Sequence, residues 1–309
     1  MNEKLFNEFL DSKLHHSLLL IGRRGVGKFK LANELGKKIL SHTATINNTE
    51  ELIKLNKHPD FLIIEKDEKE KIIKVDCINT IKDFIQLSPT YSKNKIIIIN
   101  AVDEMNEQTQ NAILKMVEEP QPNTFFLLIC HNINNVLITI KSRCRKVNVP
   151  PLDFLAWKKE MIRGGEDLYD LSGGSVYYGN LILDNDGIKI KNDIADLLKE
   201  KKLNIENLHI FADSILREKE EEGEVKKKKS KNNVKFSIFY EILLHLLYTA
   251  LKCKSTEKQN EELKDFINKN SEKMLLDKIF FVKELLNDTE RIYLDKKHSI
   301  IMCFLELSK

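Results

Sequence analysis

The stretch Gly22-Arg23-Arg24-Gly25-Val26-Gly27-Lys28-Phe29 decides the fold. An apolar run, residues 18–21, leads into it, and residues 30–40 follow with Leu31, Leu35 and Ile39 at helical spacing. Strand, glycine-rich turn and helix in that order make a phosphate-binding loop. The glycines let successive backbone N–H groups turn inward, the lysine reaches the outer phosphates, and a Ser or Thr after the lysine helps hold Mg²⁺. Gly22, Gly25, Gly27 and Lys28 are therefore the candidate nucleotide-binding residues. Phe29 stands where the hydroxyl is needed, and an aromatic ring offers a hard cation no oxygen ligand.

Outward from the loop, strands alternate with helices. His58-Pro59-Asp60 introduces the apolar run 61–64; Val75-Asp76 precedes a helix with Ile78, Ile81, Phe84 and Ile85 on one face, Asp76 reading as its N-cap. Residues 95–100 carry four consecutive isoleucines, as in a parallel strand buried on both faces. A helix is expected from Asp103 to Glu119, with Ala112, Ile113, Met116 and Val117 inward and Pro120 as the stop. Residues 125–130 read as another buried strand, 136–140 as the start of a short helix running into Ser142-Arg143-Cys144, and 147–149 as the last strand. The class is α/β, a parallel sheet wrapped by helices with ligands at the carboxyl ends of its strands. Ahead of it, residues 5–16 read as a short amphipathic helix ending at His15 and His16, which lack a carboxylate or cysteine at ligand spacing and read as loop.

Pro150-Pro151 marks a boundary. Residues 151–217 read as mostly helical, interrupted by Ser172-Gly173-Gly174-Ser175, and residues 218–235 as a charged linker, acidic first and then basic. From 236 to 309 helical periodicity returns, at Phe239, Leu243, Leu246 and Leu247 and later at Ile300, Ile301, Phe304 and Leu305, as in a helical bundle of its own. With 309 residues, 42% apolar, 31% charged and a net charge of +3, the chain reads as a soluble cytoplasmic protein with no global demand for nucleic acid. No apolar run approaches the length of a membrane span and the N-terminus lacks the features of a signal peptide, so no membrane partner is expected. Cys77, Cys130, Cys144, Cys253 and Cys303 are scattered, odd in number and read as reduced thiols without zinc.

An ATPase of this type needs acidic residues just past a neighbouring strand, to order Mg²⁺ and polarise the attacking water. After residues 96–99 come Asn100 and Ala101, an amide and a methyl group. Asp103 and Glu104 lie further on and read as the cap and first-turn acids of the next helix. Phe29, Asn100 and Ala101 thus alter three positions of one machine.

The loop, His58-Pro59-Asp60, Val75-Asp76, Gln108-Thr109-Gln110-Asn111-Ala112-Ile113-Leu114-Lys115, Glu118-Glu119-Pro120 and Ser142-Arg143-Cys144 together resemble the clamp-loader branch of the AAA+ proteins. Leu294-Asp295-Lys296-Lys297 before the last helix is similar to that family's collar ending. The resemblance implies an AAA+ P-loop domain over 1–150, a small helical lid over 151–217 and, after the linker, a helical collar for oligomerisation over 236–309. It implies that Arg143 is an arginine finger acting in trans on a neighbour's ATP site, a role suited to a planar, permanently charged guanidinium. Read from the residues alone, Arg143 equally suits a pair with a carboxylate at a strand end. The implied partners are gamma/tau-like ATPase subunits, a delta-like subunit and, through the complex, a sliding clamp and primed DNA.

Departures from the family's pattern sharpen the expectation. Residues 41–57 lack the family's four-cysteine zinc module, Tyr178 falls near the position of a sensor arginine, and Cys130 and His131 lie where the first sensor belongs, His131 reading as a loop residue. The expected subunit needs no cofactor and does not hydrolyse ATP, although the glycines and Lys28 are compatible with weak ATP or ADP binding. The alternative is an active motor subunit.

Overall fold

The computed structural model describes residues 1–45, 49–55, 57–66, 73, 76–161, 163–200, 203–216, 228–256, 260–291 and 294–309. Two compact units divide the chain: the first comprises Met1–Trp157 with Gly174–Tyr177, the second Lys158–Gly173 with Tyr178–Lys309.

The first unit is built on five parallel strands, β1 (Ser17–Ile21), β2 (Phe61–Glu65), β3 (Lys95–Asn100), β4 (Thr124–Cys130) and β5 (Arg145–Asn148), in the order β2-β3-β4-β1-β5. Its helices are α1 (Asn2–Leu10), α2 (Lys28–Thr43), α3 (Thr49–Lys54), α4 (Asp76–Gln86), α5 (Glu107–Glu118) and α6 (Ile138–Arg143); α7 (Phe154–Glu160) begins in this unit. Side chains alternate across a strand, so the isoleucines of β3 divide between two cores. Ile96 and Ile98 join Leu18, Leu20, Leu127 and Ile129 beneath Leu35 and Ile39 of α2. Ile97 and Ile99 join Leu19, Phe126 and Leu128 against Ile81 of α4 and Ile113 and Val117 of α5. Helices cover both faces, and the continuous apolar run of β3 follows from that.

Because every strand runs the same way, the carboxyl ends, and the loop after β1, share one edge of the sheet; the amino ends share the other. Several boundaries differ from the sequence reading, among them β5 at Arg145–Asn148 instead of 147–149 and α6 starting at Ile138 instead of 136. α1 stops at Leu10, Ser12 following with φ of 56°, so His15 and His16 lie in the connection to β1 with their rings stacked at 4.2 Å. α5 starts at Glu107, not Asp103: Asn106 caps it by accepting the Thr109 N–H at 2.8 Å, and Val102–Glu104 forms a separate 3-10 turn. Asp103 and Glu104 are therefore not helix-capping acids. The chain also stays in the first unit past Pro150-Pro151 to Trp157, which is fully buried. Asp76 opens α4, but its side chain and Val75 lie outside the described residues.

The second unit is helical: α8 (Glu166–Ser172), most of α9 (Val176–Asp184), α10 (Gly187–Lys199), α11 (Ile205–Leu216), α12 (Lys228–Thr256), α13 (Lys264–Lys269), α14 (Glu272–Arg291) and α15 (Lys296–Leu307). α12 packs against α10, α11, α13 and α14, and α11 packs against α15. Phe211 of α11 meets Phe239 of α12 and Phe304 of α15 edge-on, ring centres 5.8 and 5.7 Å apart. The apolar face of α11 is thereby shared with the C-terminal helices. Residues 228–235 of the expected linker are the first turns of α12, in keeping with lysine's good helix propensity; residues 217–227 lie outside the described residues. Contrary to the expectation that no segment matches a membrane span, the 23 residues Val234–Thr256 are long and apolar enough by composition. They form the central core helix, with Phe239, Tyr240, Leu243, Leu247 and Ala250 wholly buried.

Candidate functional site

The loop after β1 is anchored by continuing the sheet: the Gly22 N–H donates to the Cys130 carbonyl at 3.3 Å and the Val149 N–H to the Ile21 carbonyl at 2.7 Å. A Cβ on Gly22 would lie 2.6 Å from the Val149 carbonyl oxygen, so only glycine fits. Gly25 and Gly27 take φ of +80° and +90°, the left-handed region that favours glycine. Lys28 opens α2, is 2% exposed, and donates through Nζ to the carbonyls of Gly22 and Arg23, each at 2.6 Å. Burial pulls its ammonium down to about 8, the nearby Asp103 charge opposing the shift. Phe29, whose ring replaces the metal-binding hydroxyl, packs against the core beneath α2.

A second segment of the same unit grips the loop from outside. The Val176 N–H donates to the Gly25 carbonyl at 3.1 Å, Ser175 Oγ donates to the Arg24 carbonyl at 2.7 Å, and the Arg24 guanidinium lies 5.2 Å from the centre of the Tyr177 ring. Sequence reading missed this clamp, because its two halves are 151 residues apart.

Beyond β3, Ala101 is buried among apolar side chains, and the two acids read as helix caps have other work. Asp103 accepts the N–H of His131 at 2.9 Å and of Asn132 at 2.8 Å, one on each carboxylate oxygen, tying the end of β3 to the end of β4. Glu104 pairs with Arg24 at 2.8 Å and with Lys66 at 2.9 Å. Burial acts against the Glu104 charge, but Lys66 and Arg24 prevail and hold the carboxyl below its usual range. His131 is driven down to about 4, first by burial and then by the Lys28 charge, so its ring is neutral near pH 7. The loop can offer Lys28 and backbone amides to an anion. The carboxylates beside it already serve internal partners.

His58-Pro59-Asp60 resolves into structure. Asp60 is fully buried, and its carboxylate accepts the backbone N–H groups of Thr90, Tyr91 and Ser92 at 2.7, 2.7 and 2.9 Å, fixing the turn that feeds β3.

Arg143 ends α6, two residues before β5, and so stands at the amino edge of the sheet; the phosphate loop is at the carboxyl edge. A five-residue strand separates the edges by about 16 Å. The carboxylate partner open to Arg143 from its sequence is Glu118, the last residue of α5 and the first of Glu118-Glu119-Pro120, with Nε 2.8 Å from Oε2 as an ion pair. Nη1 also donates to the Thr139 carbonyl at 3.3 Å. The Arg143 side chain is 34% exposed. No spacing rule links residues 118 and 143; only the fold brings these two motifs together.

A family model described as DNA polymerase III, delta subunit, matches residues 1–153. The chain is 32% identical over 174 residues to DNA polymerase III subunit delta' of Pseudomonas aeruginosa, covering 52% of this chain and 53% of that protein. It is 29% identical over 209 residues to DNA polymerase III subunit gamma of Buchnera aphidicola, covering 64% of this chain and 53% of that protein. A solved DNA polymerase III gamma subunit-related protein from Thermotoga maritima aligns over 100% of this chain and 99% of its own, at 19% identity and a TM-score of 0.47. The chain spans about half the length of the curated relatives it matches. Through residues 1–153 the chain is similar to the family described as DNA polymerase III, delta subunit, and to curated delta' subunits of DNA polymerase III.

Proposed function

We propose that the chain is a cytoplasmic, non-hydrolysing subunit of a clamp-loading assembly, which lends Arg143 to the ATP site of a neighbouring gamma/tau-like subunit while the complex places a sliding clamp on primed DNA. The observation that carries this reading is the position of Arg143. It lies at the sheet edge away from the chain's own phosphate loop, so its guanidinium is better placed for another subunit's nucleotide than for its own. The loop side supports the same reading: Phe29 replaces the metal-binding hydroxyl, Asn100 and Ala101 replace the acids, and Asp103 and Glu104 are engaged elsewhere. A site must supply every part of a mechanism to run it.

The second reading, an active ATPase, is favoured by one feature, the intact Gly-x-x-Gly-x-Gly-Lys geometry with Lys28 held under the loop. ATP turnover separates the two. The isolated chain should show none, and Arg143→Ala should lower the DNA-stimulated ATPase of the reconstituted loader by roughly a thousandfold at each site it serves, the low end for arginine fingers in other phosphoryl-transfer systems. Turnover by the isolated chain that disappears in Lys28→Ala would establish the active reading instead.

A further inference from the structure

We infer that Glu118 is a positioning residue for the Arg143 guanidinium, a proposal that rests on the finger reading above. An arginine on a short helix has four rotatable side-chain bonds, and a finger is effective only when its guanidinium is already oriented. Here the orientation is set from one side. Glu118 Oε2 sits 2.8 Å from Nε and the Thr139 carbonyl takes a hydrogen from Nη1 at 3.3 Å. Nη2 donates no hydrogen bond among the described residues, so its N–H groups are the part left to meet a phosphoryl oxygen. A carboxylate gripping both Nη atoms would instead consume the fork that recognises phosphate.

The carboxylate has no competing partner among the described residues. Arg143 is the one charged group that perturbs Glu118, holding its carboxyl below the usual range, and Arg143 is held above its own by the same contact. Both side chains are substantially exposed, 34% for Arg143 and 47% for Glu118, and exposed pairs contribute little to stability. A purely structural role therefore accounts poorly for the pair, whereas fixing the azimuth of a long cation does not require burial. The arrangement also gives Glu118-Glu119-Pro120 a physical role, since Glu118 ends α5 and a rigid helix terminus thereby presents the carboxylate to α6.

The test uses the full-length chain reconstituted with gamma-type ATPase subunits, comparing Arg143→Ala, Glu118→Ala, Glu118→Gln and the double variant Glu118→Ala/Arg143→Ala. Glu118→Ala should lower kcat of the assembled ATPase roughly tenfold, with assembly and KM for ATP unchanged. Glu118→Gln keeps the side chain's length and an acceptor oxygen but not its charge, and should recover only part of that loss. The double variant should be no slower than Arg143→Ala alone, because the two residues act as one unit. The proposal is overturned if Glu118→Ala leaves kcat unchanged while Arg143→Ala lowers it, if Glu118→Ala raises kcat, as a parked finger would require, or if the two losses multiply. A result in which Arg143→Ala itself has no effect removes the finger reading, and the positioning role with it.

Discussion

Replacing Gly25 by alanine separates a loop kept for its packing from one kept for a ligand. The new Cβ would lie 2.4 Å from Tyr177 Cβ, 2.5 Å from Ser175 Oγ and 2.6 Å from the Tyr177 backbone nitrogen. Two of these atoms belong to or adjoin the backbone and cannot swing aside. Three costs combine: about 1–2 kcal/mol for a side chain at φ of +80°, about 1–3 kcal/mol for overpacking, and about 1 kcal/mol for weakening the bonds from Ser175 and Val176. The expected loss is about 3–6 kcal/mol. Gly27→Ala is the internal control, since its φ is +90° but nothing lies within 4 Å of the added Cβ. It should lose only the conformational part, about 1–2 kcal/mol. Trp157, the single tryptophan, is fully buried in the first unit, so its fluorescence in urea follows the unfolding of that unit. Equal losses for the two variants would refute the reasoning, because they would mean that the clamp of residues 174–177 does not bear on the loop.

Two further outcomes follow from buried charges and can be read in the same titrations. Asp60→Ala strands three backbone N–H groups that its carboxylate now satisfies, and should cost about 3–5 kcal/mol in urea unfolding, with no change in activity beyond that caused by lost protein. Lys28 has a folded pKa of about 8 against an ordinary 10.5, so between those values the unfolded chain binds more protons and stability rises with pH. Relative to Lys28→Met, the wild type should therefore gain up to about 3 kcal/mol of unfolding free energy from pH 8 to pH 10.5; parallel pH profiles would show that Lys28 is not desolvated.

The sheet was legible in the sequence because its signals are local. Four isoleucines flanked by helical periods, and glycines at turn spacing before a lysine, mean the same thing in many tertiary settings. The acids past β3 were misread because Asp103 and Asn106 are both good cap residues by type, and what selects Asn106 is a tertiary demand: the amides of His131 and Asn132 claim Asp103. The Glu118–Arg143 pair and the clamp on the loop are equally invisible to local reading, since each joins residues far apart in the chain. The unit boundary shifted for the same reason. Periodicity shows that α11 has an apolar face but not that α12 and α15 cover it.

The charges around the two edges of the sheet are related. At the carboxyl edge, Lys28 is met by two carbonyls, Asp103 by two amides, and Glu104 by Arg24 and Lys66, with the Arg24 guanidinium also over Tyr177. Each of these groups would lose a partner if it turned to a nucleotide, at a cost of about 1–3 kcal/mol for the buried Lys28 and less for the part-exposed Arg24 and Lys66. At the amino edge, Glu118 and Thr139 engage Nε and Nη1 of Arg143 while Nη2 donates no hydrogen bond among the described residues, so a phosphoryl oxygen could be met there without breaking one. Under the proposed function, the same principle, satisfaction of polar groups by internal partners, would make the phosphate loop a structural joint and leave the arginine available to a neighbour. The proposed lack of hydrolysis at one edge and the proposed assistance to it at the other are thus compatible within a single sheet.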